Sequence, residues 1–251
     1  MIIGIDMGHT VSGSNYGAVG LIKESMETRR LGDRVSSLLK SQGHTVVDCT
    51  VDFATSNTDS INKRIANANK QHLDVLLVIH FNASNGQGQG SEILTYNGKF
   101  QPEADRILKN LEKIGFRNRG IKNGTSPRRL GMVNSVKAKS IYLEVCFVDN
   151  KYDVDLYNKN IDDVALAIAT GITGGNFNMS ENKHKYVPYD ENPPTSANVL
   201  PNCKKAYIEE TSDNRLIIHM DRGNYITLGK GECKIYLNDN KGKSKVHKFT
   251  L

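Results

Sequence analysis

Residues 1–6 form an apolar run that stops at Gly8, the pattern of a buried strand feeding a loop. Over 24–41, Leu31, Val35, Leu38 and Leu39 recur at helical spacing and Gly43 supplies a stop. This predicts a helix of about four or five turns with one face turned to a core. The alternation continues as a strand over 45–51, a helix over 59–70 capped by Ser60 or a neighbour, and a continuously apolar strand over 74–81. A strand over 91–96, a helix over 102–114, a strongly apolar strand over 140–148 and an alanine-rich helix over 161–172, closed by Gly174 and Gly175, complete the pattern. Strands alternating with helices of this length predict an α/β domain with a mostly parallel sheet, whose ligand site lies at the carboxyl ends of its strands.

Beyond Gly175 the pattern changes. Residues 176–202 are polar and carry Pro188, Pro193, Pro194 and Pro201, as a linker does. Short β runs follow over 203–208, 216–220, 225–228, 234–237 and 246–251, separated by turn sequences. The expected organisation is a large α/β domain over 1–175, a linker over 176–202 and a small all-β module over 203–251.

Composition narrows the class. With 38% hydrophobic and 24% charged residues, the 251-residue chain is neither collagen-like, coiled-coil nor wholly disordered. Crossing a bilayer takes about 20 apolar residues. The longest candidate, 73–81, is interrupted by Asp74 and His80, so membrane insertion is not expected. The first residues lack the basic start and small-residue cleavage site of a secretory signal, and the expectation is a protein made in the cytoplasm without one. Cys49, Cys146, Cys203 and Cys233 are dispersed and read as reduced thiols. The net charge of +6 divides evenly, 21 basic against 18 acidic residues through Gly175 and 12 against 9 beyond. An excess so spread argues against nucleic acid, which calls for a basic stripe with aromatic platforms, and suits an anionic wall polymer such as teichoic acid.

Three places could carry chemistry: Gly8-His9-Thr10 after the first strand, Glu24 at the head of the first helix, and Ile79-His80-Phe81-Asn82-Ala83-Ser84 ending the third strand. Two imidazoles and a carboxylate are the protein ligands of many catalytic zinc sites, which keep a fourth position for water. Glu144 stands in the middle of an apolar strand, where a carboxylate needs a partner, a metal-bound water or a raised pKa. That is the profile of a general base.

Taken in order, strand–Gly8-His9, Glu24, Val78-Ile79-His80-Phe81-Asn82-Ala83, Gly90-Ser91-Glu92 and Leu143-Glu144-Val145 resemble the zinc-dependent N-acetylmuramoyl-L-alanine amidases. The likeness is to the catalytic type of bacterial wall hydrolases and clostridial phage endolysins, and it spans roughly residues 1–175. It implies a three-layer α/β fold, zinc held by His9, Glu24 and His80, and Glu144 as catalytic base. The first loop, residues 10–17, departs from the family's commoner glycine- and aspartate-containing pattern. Glu27, one turn beyond Glu24, is the alternative ligand. Glu24 is preferred for its place at the helix start and its distance before Gly43.

Asn82 and Arg129 are candidate substrate contacts, with a turn cap and a solvated pair with Arg128 as the plainer readings. Cys146, on the face of Glu144 by alternation, reads as a packed thiol and not as a fourth ligand. The expected function is an endolysin cleaving the bond between N-acetylmuramic acid and L-alanine once the membrane is permeabilised, with the β module binding the wall. The alternatives are a zinc peptidase on the wall peptide and a non-catalytic wall-binding protein. Met179 offers an internal translation start, by which free modules could assemble with full-length chains.

Overall fold

The computed structural model describes residues 1–127 and 129–179 in full and, beyond them, the backbone of short strands. Contacts divide the chain into two units, Met1–Met179 and Ser180–Leu251.

The first unit runs β1 (Ile2–Met7), β2 (Ser12–Gly13), α1 (Glu24–Ser41), β3 (Thr45–Asp48), β4 (Phe53–Ala54), α2 (Asn57–Asn69), β5 (Val75–Asn82), β6 (Ser91–Thr95), α3 (Pro102–Ile114), β7 (Asn118–Asn123), α4 (Gly131–Asn134), β8 (Ser140–Phe147), α5 (Lys151–Lys159) and α6 (Ile161–Thr173). Six strands make one sheet in the order β3-β1-β5-β8-β6-β7, and β2 pairs with β4 apart from it. β3, β1, β5 and β8 are mutually parallel; β6 meets β8 antiparallel and β7 follows β6 in parallel. This is the expected mixed, mostly parallel sheet, flanked by helices. Eight residues, 83–90, separate β5 from β6, fewer than the dozen or so a parallel crossover takes, and the chain returns antiparallel.

The two-residue period of the strands sorts the core into two faces. Ile3, Ile5, Leu77, Ile79, Ile141, Leu143 and Ile93 pack with Leu31, Val35 and Leu39 of α1, Ile107 and Leu111 of α3 and Val164 and Ile168 of α6. On the opposite face Leu76, Val78, Tyr142 and Leu94 pack with Ala68 of α2 and with Met132 and Val133 of α4. His80, Glu144 and Glu92 continue the rows of this second face toward the loop end of the sheet.

Most predicted elements are present with shifted ends. The strand expected over 45–51 stops at Asp48, and α2 starts at Asn57 because the Ser56 side chain, not Ser60, accepts a hydrogen bond from the Asp59 N–H at 3.1 Å. β2, β4, β7, α4 and α5 were not expected. Among the described residues, no helix is long and apolar enough to cross a membrane. Cys49 and Cys146 are buried free thiols, and burial pushes Cys49 up to about 12.

In the second unit, β9 (Tyr186–Val187), β10 (Ala206–Glu210), β11 (Leu216–Met220) and β12 (Tyr225–Leu228) form an antiparallel sheet, and β13 (Glu232–Asn238) pairs with β14 (Ser244–Thr250) as a hairpin. The β runs read from the sequence fall on these strands. Most of the expected linker, and Arg128 and Cys203, lie outside the described residues.

Candidate metal centre

Three side chains from separate elements converge at the ends of β1 and β5. His9 follows β1, Glu24 is the first residue of α1 and His80 sits near the end of β5. His9 Nε2 lies 3.0 Å from Glu24 Oε2, and His80 Nδ1 lies 2.9 Å from Glu24 Oε1. One donor atom from each residue falls within 4.8 Å of the others. Backbone N–H groups of Ala18 and Phe81 donate to the two Glu24 oxygens at 2.8 and 3.0 Å, which fixes the carboxylate plane. Glu24 and His80 are buried, whereas the His9 side chain is 19% exposed, so the cluster opens to solvent on its His9 side.

The protonation states suit a cation. Burial alone would raise Glu24, but the bonds from His80 and His9 and their charge outweigh it and hold the carboxyl well below the usual range. Burial draws His80 down to about 4; Glu24 opposes the shift, and Arg64 and His9 add to it. At neutral pH the cluster therefore offers an ionised carboxylate and a neutral imidazole, the form in which histidine binds metals. Two ring nitrogens and a carboxylate oxygen are a donor set that fits zinc.

The chain holds these groups with little freedom. His9 adopts φ 65°, a left-handed conformation that costs a non-glycine residue about 1–2 kcal/mol. Its carbonyl accepts from Arg29 Nη2 at 2.8 Å, while Thr28 Oγ1 donates to the Gly8 carbonyl at 3.0 Å and Arg29 Nη1 to the same oxygen. The helix that supplies Glu24 thus also clamps the backbone of His9. His9 Nδ1 lies 2.8 Å from Asn15 Oδ1, and Asn15 in turn donates to Ser60 Oγ of α2 at 3.0 Å. Such outer partners orient a ligating ring. Arg64 of α2 is buried in a bidentate pair with Asp6 of β1, and its Nη2 lies 3.1 Å from His80 Nε2. The Tyr142 ring stacks on the His80 ring, 4.5 Å away at 10°. Gly8 and Gly17 allow close passage: a Cβ at Gly8 would stand 2.4 Å from His80 Nε2, and one at Gly17 2.6 Å from Glu24 Oε2.

Glu144 is the register neighbour of His80 across the β5–β8 pair and of Glu92 across β8–β6. Directly paired residues share a sheet face, so the three side chains stand in one row, and Glu144 is 9% exposed. Asn82 donates from Nδ2 to Glu92 Oε1 at 3.1 Å and accepts from the Ala83 N–H at 3.0 Å, so its amide spans the end of β5 and β6. Glu27 turns away from the cluster to Arg30, 3.2 Å distant. Arg129 is exposed at φ 46°, next to Leu130, which with Ile61, Met132 and Tyr142 lines a cavity of about 160 Å³ running from His9 and His80. An irregularity in the β5–β8 pairing between His80 and Asn82 breaks the alternation, and Cys146 packs in the helix-side core with Val145 and Val148 instead of on the Glu144 face. Arg29 and Arg64 are not singled out by any pattern in the sequence; Asp6, an acid within the apolar first strand, was the available hint of a partner.

Comparison with known proteins shows the family. The family model described as N-acetylmuramoyl-L-alanine amidase matches residues 3–174. An uncharacterized protein of Clostridium perfringens strain 13 is 30% identical over 179 residues, covering 68% of this chain and 51% of its own length. The chain spans about half the length of the curated relatives it matches first. Among solved structures, the catalytic domain of an endolysin targeting Clostridium difficile is 33% identical with a TM-score of 0.65, over 71% of this chain and 99% of that one. Cwp6 from Clostridium difficile is 28% identical with a TM-score of 0.61, over 69% of this chain and 29% of that one. With a family match over residues 3–174, more than half its length, the chain belongs to the N-acetylmuramoyl-L-alanine amidase family.

Proposed function

We propose that this chain hydrolyses the amide between N-acetylmuramic acid and L-alanine in peptidoglycan, with zinc held by His9, Glu24 and His80 and with Glu144 as general base and then acid. The observation that carries the reading is the placement of Glu144 one strand, about 4.8 Å, from His80 in direct register, beside a buried donor cluster. Zinc bound there supplies Lewis acidity to the scissile carbonyl and to the attacking water. Glu144 accepts the proton of that water and returns it to the nitrogen of the departing L-alanine. Glu24, ionised and fixed by two backbone N–H donors, supplies the negative charge that holds a divalent cation. Asn82 and Arg129, at the rim of the same region, contact the substrate, and Tyr142 fixes the plane of the His80 ring.

Likeness to an endolysin catalytic domain supports a lytic role at the wall after membrane permeabilisation. Residues 203–251 serve as the wall-binding module, engage a polymer such as teichoic acid, and give a route to oligomers. Holding the hydrolase on its substrate raises the local concentration of cleavable bonds.

The test is digestion of purified walls with metal content measured on the same samples. The expected result is about one zinc per chain and new amino-terminal L-alanine. Glu144→Gln should keep the metal and lose activity by about 10²–10⁴-fold, the range for a general acid–base group. A different new amine end moves the chemistry to a wall peptidase, and a fully active Glu144→Gln overturns the role of the base.

A further inference from the structure

The row that begins with His80 and Glu144 does not end there. It continues to Glu92 of β6, 3% exposed, and then to Arg119 of β7, whose Nε donates to Glu92 Oε2 at 2.8 Å. None of the proposed chemistry uses these last two residues. The β6–β7 pairing shifts register between Ser91 and Ile93, so two residues of β7, Arg119 and Gly120, face Glu92, and Gly120 takes φ 79°. A bulge of this kind re-aims the side chain beside it. Here it carries the guanidinium over Glu92, where its carbon lies 5.0 Å from the centre of the Phe147 ring and Nη1 lies 3.4 Å from the Gln89 carbonyl. The Arg119 side chain is nonetheless 30% exposed, so part of the fork remains open to solvent.

We infer that Arg119 is a specificity-determining contact that takes the α-carboxylate of the second residue of the stem peptide, with Glu92 as its positioning residue. The inference rests on the amidase reading, which places the scissile amide between the metal cluster and Glu144. In peptidoglycan the residue after L-alanine is a γ-linked D-glutamate whose α-carboxyl is either free or amidated. At about 3.5 Å per residue, that carboxyl lies roughly 7 Å from the scissile nitrogen. The guanidinium sits over Glu92, about one strand spacing of 4.8 Å beyond Glu144, and its own dimensions bridge the remainder. A planar guanidinium over an aromatic ring, held through Nε by the Glu92 carboxylate and through Nη1 by the Gln89 carbonyl at 3.4 Å, keeps its remaining N–H donors in a fixed plane, the arrangement that suits a second carboxylate. Glu92 already neutralises the arginine, so the stem acid is held by hydrogen bonds from the remaining guanidinium N–H groups, partly screened by solvent, and not by net charge compensation.

The experiment uses the full chain on solubilised glycan strands whose stem peptides differ only in a free or amidated D-glutamate α-carboxyl. The native chain should favour the free acid by about tenfold in kcat/KM, carried mainly by KM, as expected for a partly exposed charge-assisted pair. Arg119→Gln should bring that ratio close to one, Arg119→Lys should keep part of it, and Glu92→Gln should reduce it by loosening the fork. Thermal melts identify any variant that fails to fold, and the Lys variant then carries the test. An equal rate on both substrates in the native chain, or a preference that survives in Arg119→Gln, overturns the assignment. Release of no L-alanine ends from either substrate by the zinc-loaded native chain overturns the amidase reading instead.

Discussion

Replacing Arg29 with methionine tests whether α1 holds the proposed metal site through the backbone of His9. The Arg29 guanidinium is buried and donates to the carbonyls of His9 at 2.8 Å and Val51 at 3.2 Å, to the Gly8 carbonyl, and to Asp52 Oδ1 through Nε and Nη2 at 3.2 and 3.0 Å. Methionine preserves the bulk of the stem and removes every donor. The Gly8 carbonyl keeps Thr28 Oγ1, but the carbonyls of the half-buried His9 and Val51 lose this partner, at about 0.5–1.5 kcal/mol for each bond. Since His9 is held at φ 65°, releasing its carbonyl also lets about 1–2 kcal/mol of backbone strain relax by turning the imidazole away from Glu24. The expected result is a stability loss of roughly 1–3 kcal/mol in urea melts and zinc binding weakened about 10–100-fold in competition with a chromogenic chelator. Asp52→Asn is the control: its carboxylate is 60% exposed, so breaking that ion pair alone should cost less than about 1 kcal/mol and leave zinc affinity unchanged. Zinc affinity within twofold of native in Arg29→Met would refute the idea that α1 clamps His9.

Two further substitutions probe other parts of the same machinery. Gly17→Ala places a Cβ 2.6 Å from Glu24 Oε2 and from His9 Cδ2 at φ 76°, and should lower retained zinc after dialysis by at least about tenfold, through strain of about 1–2 kcal/mol plus displacement of the ligands. Burial, with Asp48 and Asp52 adding and Arg34 and Arg29 opposing, raises the Asp33 carboxyl from 3.8 to about 7. Because the folded chain holds that proton more tightly than the unfolded one, the contribution to stability is complete below about pH 4 and is lost as pH rises through 7. Asp33→Asn should therefore melt higher than the native chain at pH 8, by the equivalent of about 1–2 kcal/mol, with the difference vanishing near pH 4; a pH-independent difference would exclude this origin.

Elements whose burial is nearly complete could be read from the chain. β5 and β8 are buried along almost their whole length, and α1 and α6 carry apolar residues at helical spacing. β7, with the sequence Asn-Arg-Gly-Ile-Lys-Asn, is a half-exposed edge strand with no alternation to detect, and α5 is a short polar helix begun by the Asn150 cap. Nor does periodicity report direction. The reversal of β6 puts Glu92 and Arg119 near the amino ends of their strands, at the same end of the sheet as the carboxyl ends of β1, β5 and β8. His9, Glu24, His80 and Glu144 were visible because histidines and acids beside apolar strands are conspicuous. Arg29, Arg64 and Arg119 were not, because an arginine that fills a buried hydrogen-bonding role looks the same in sequence as one on a wet surface.

The row from His80 through Glu144 and Glu92 to Arg119 exists only while three strand pairings keep their register. Sliding β8 by one residue would turn Glu144 into the helix-side core and present Leu143 or Val145 beside His80, so the same error would bury a charge among apolar side chains and dismantle the proposed reaction centre. Misregistered chains thus pay twice. The packing that makes such a slip costly during folding works as a proofreader for the chemistry, and an inserted or deleted residue within β8 is penalised as a folding defect before it can persist as a stable, inactive enzyme.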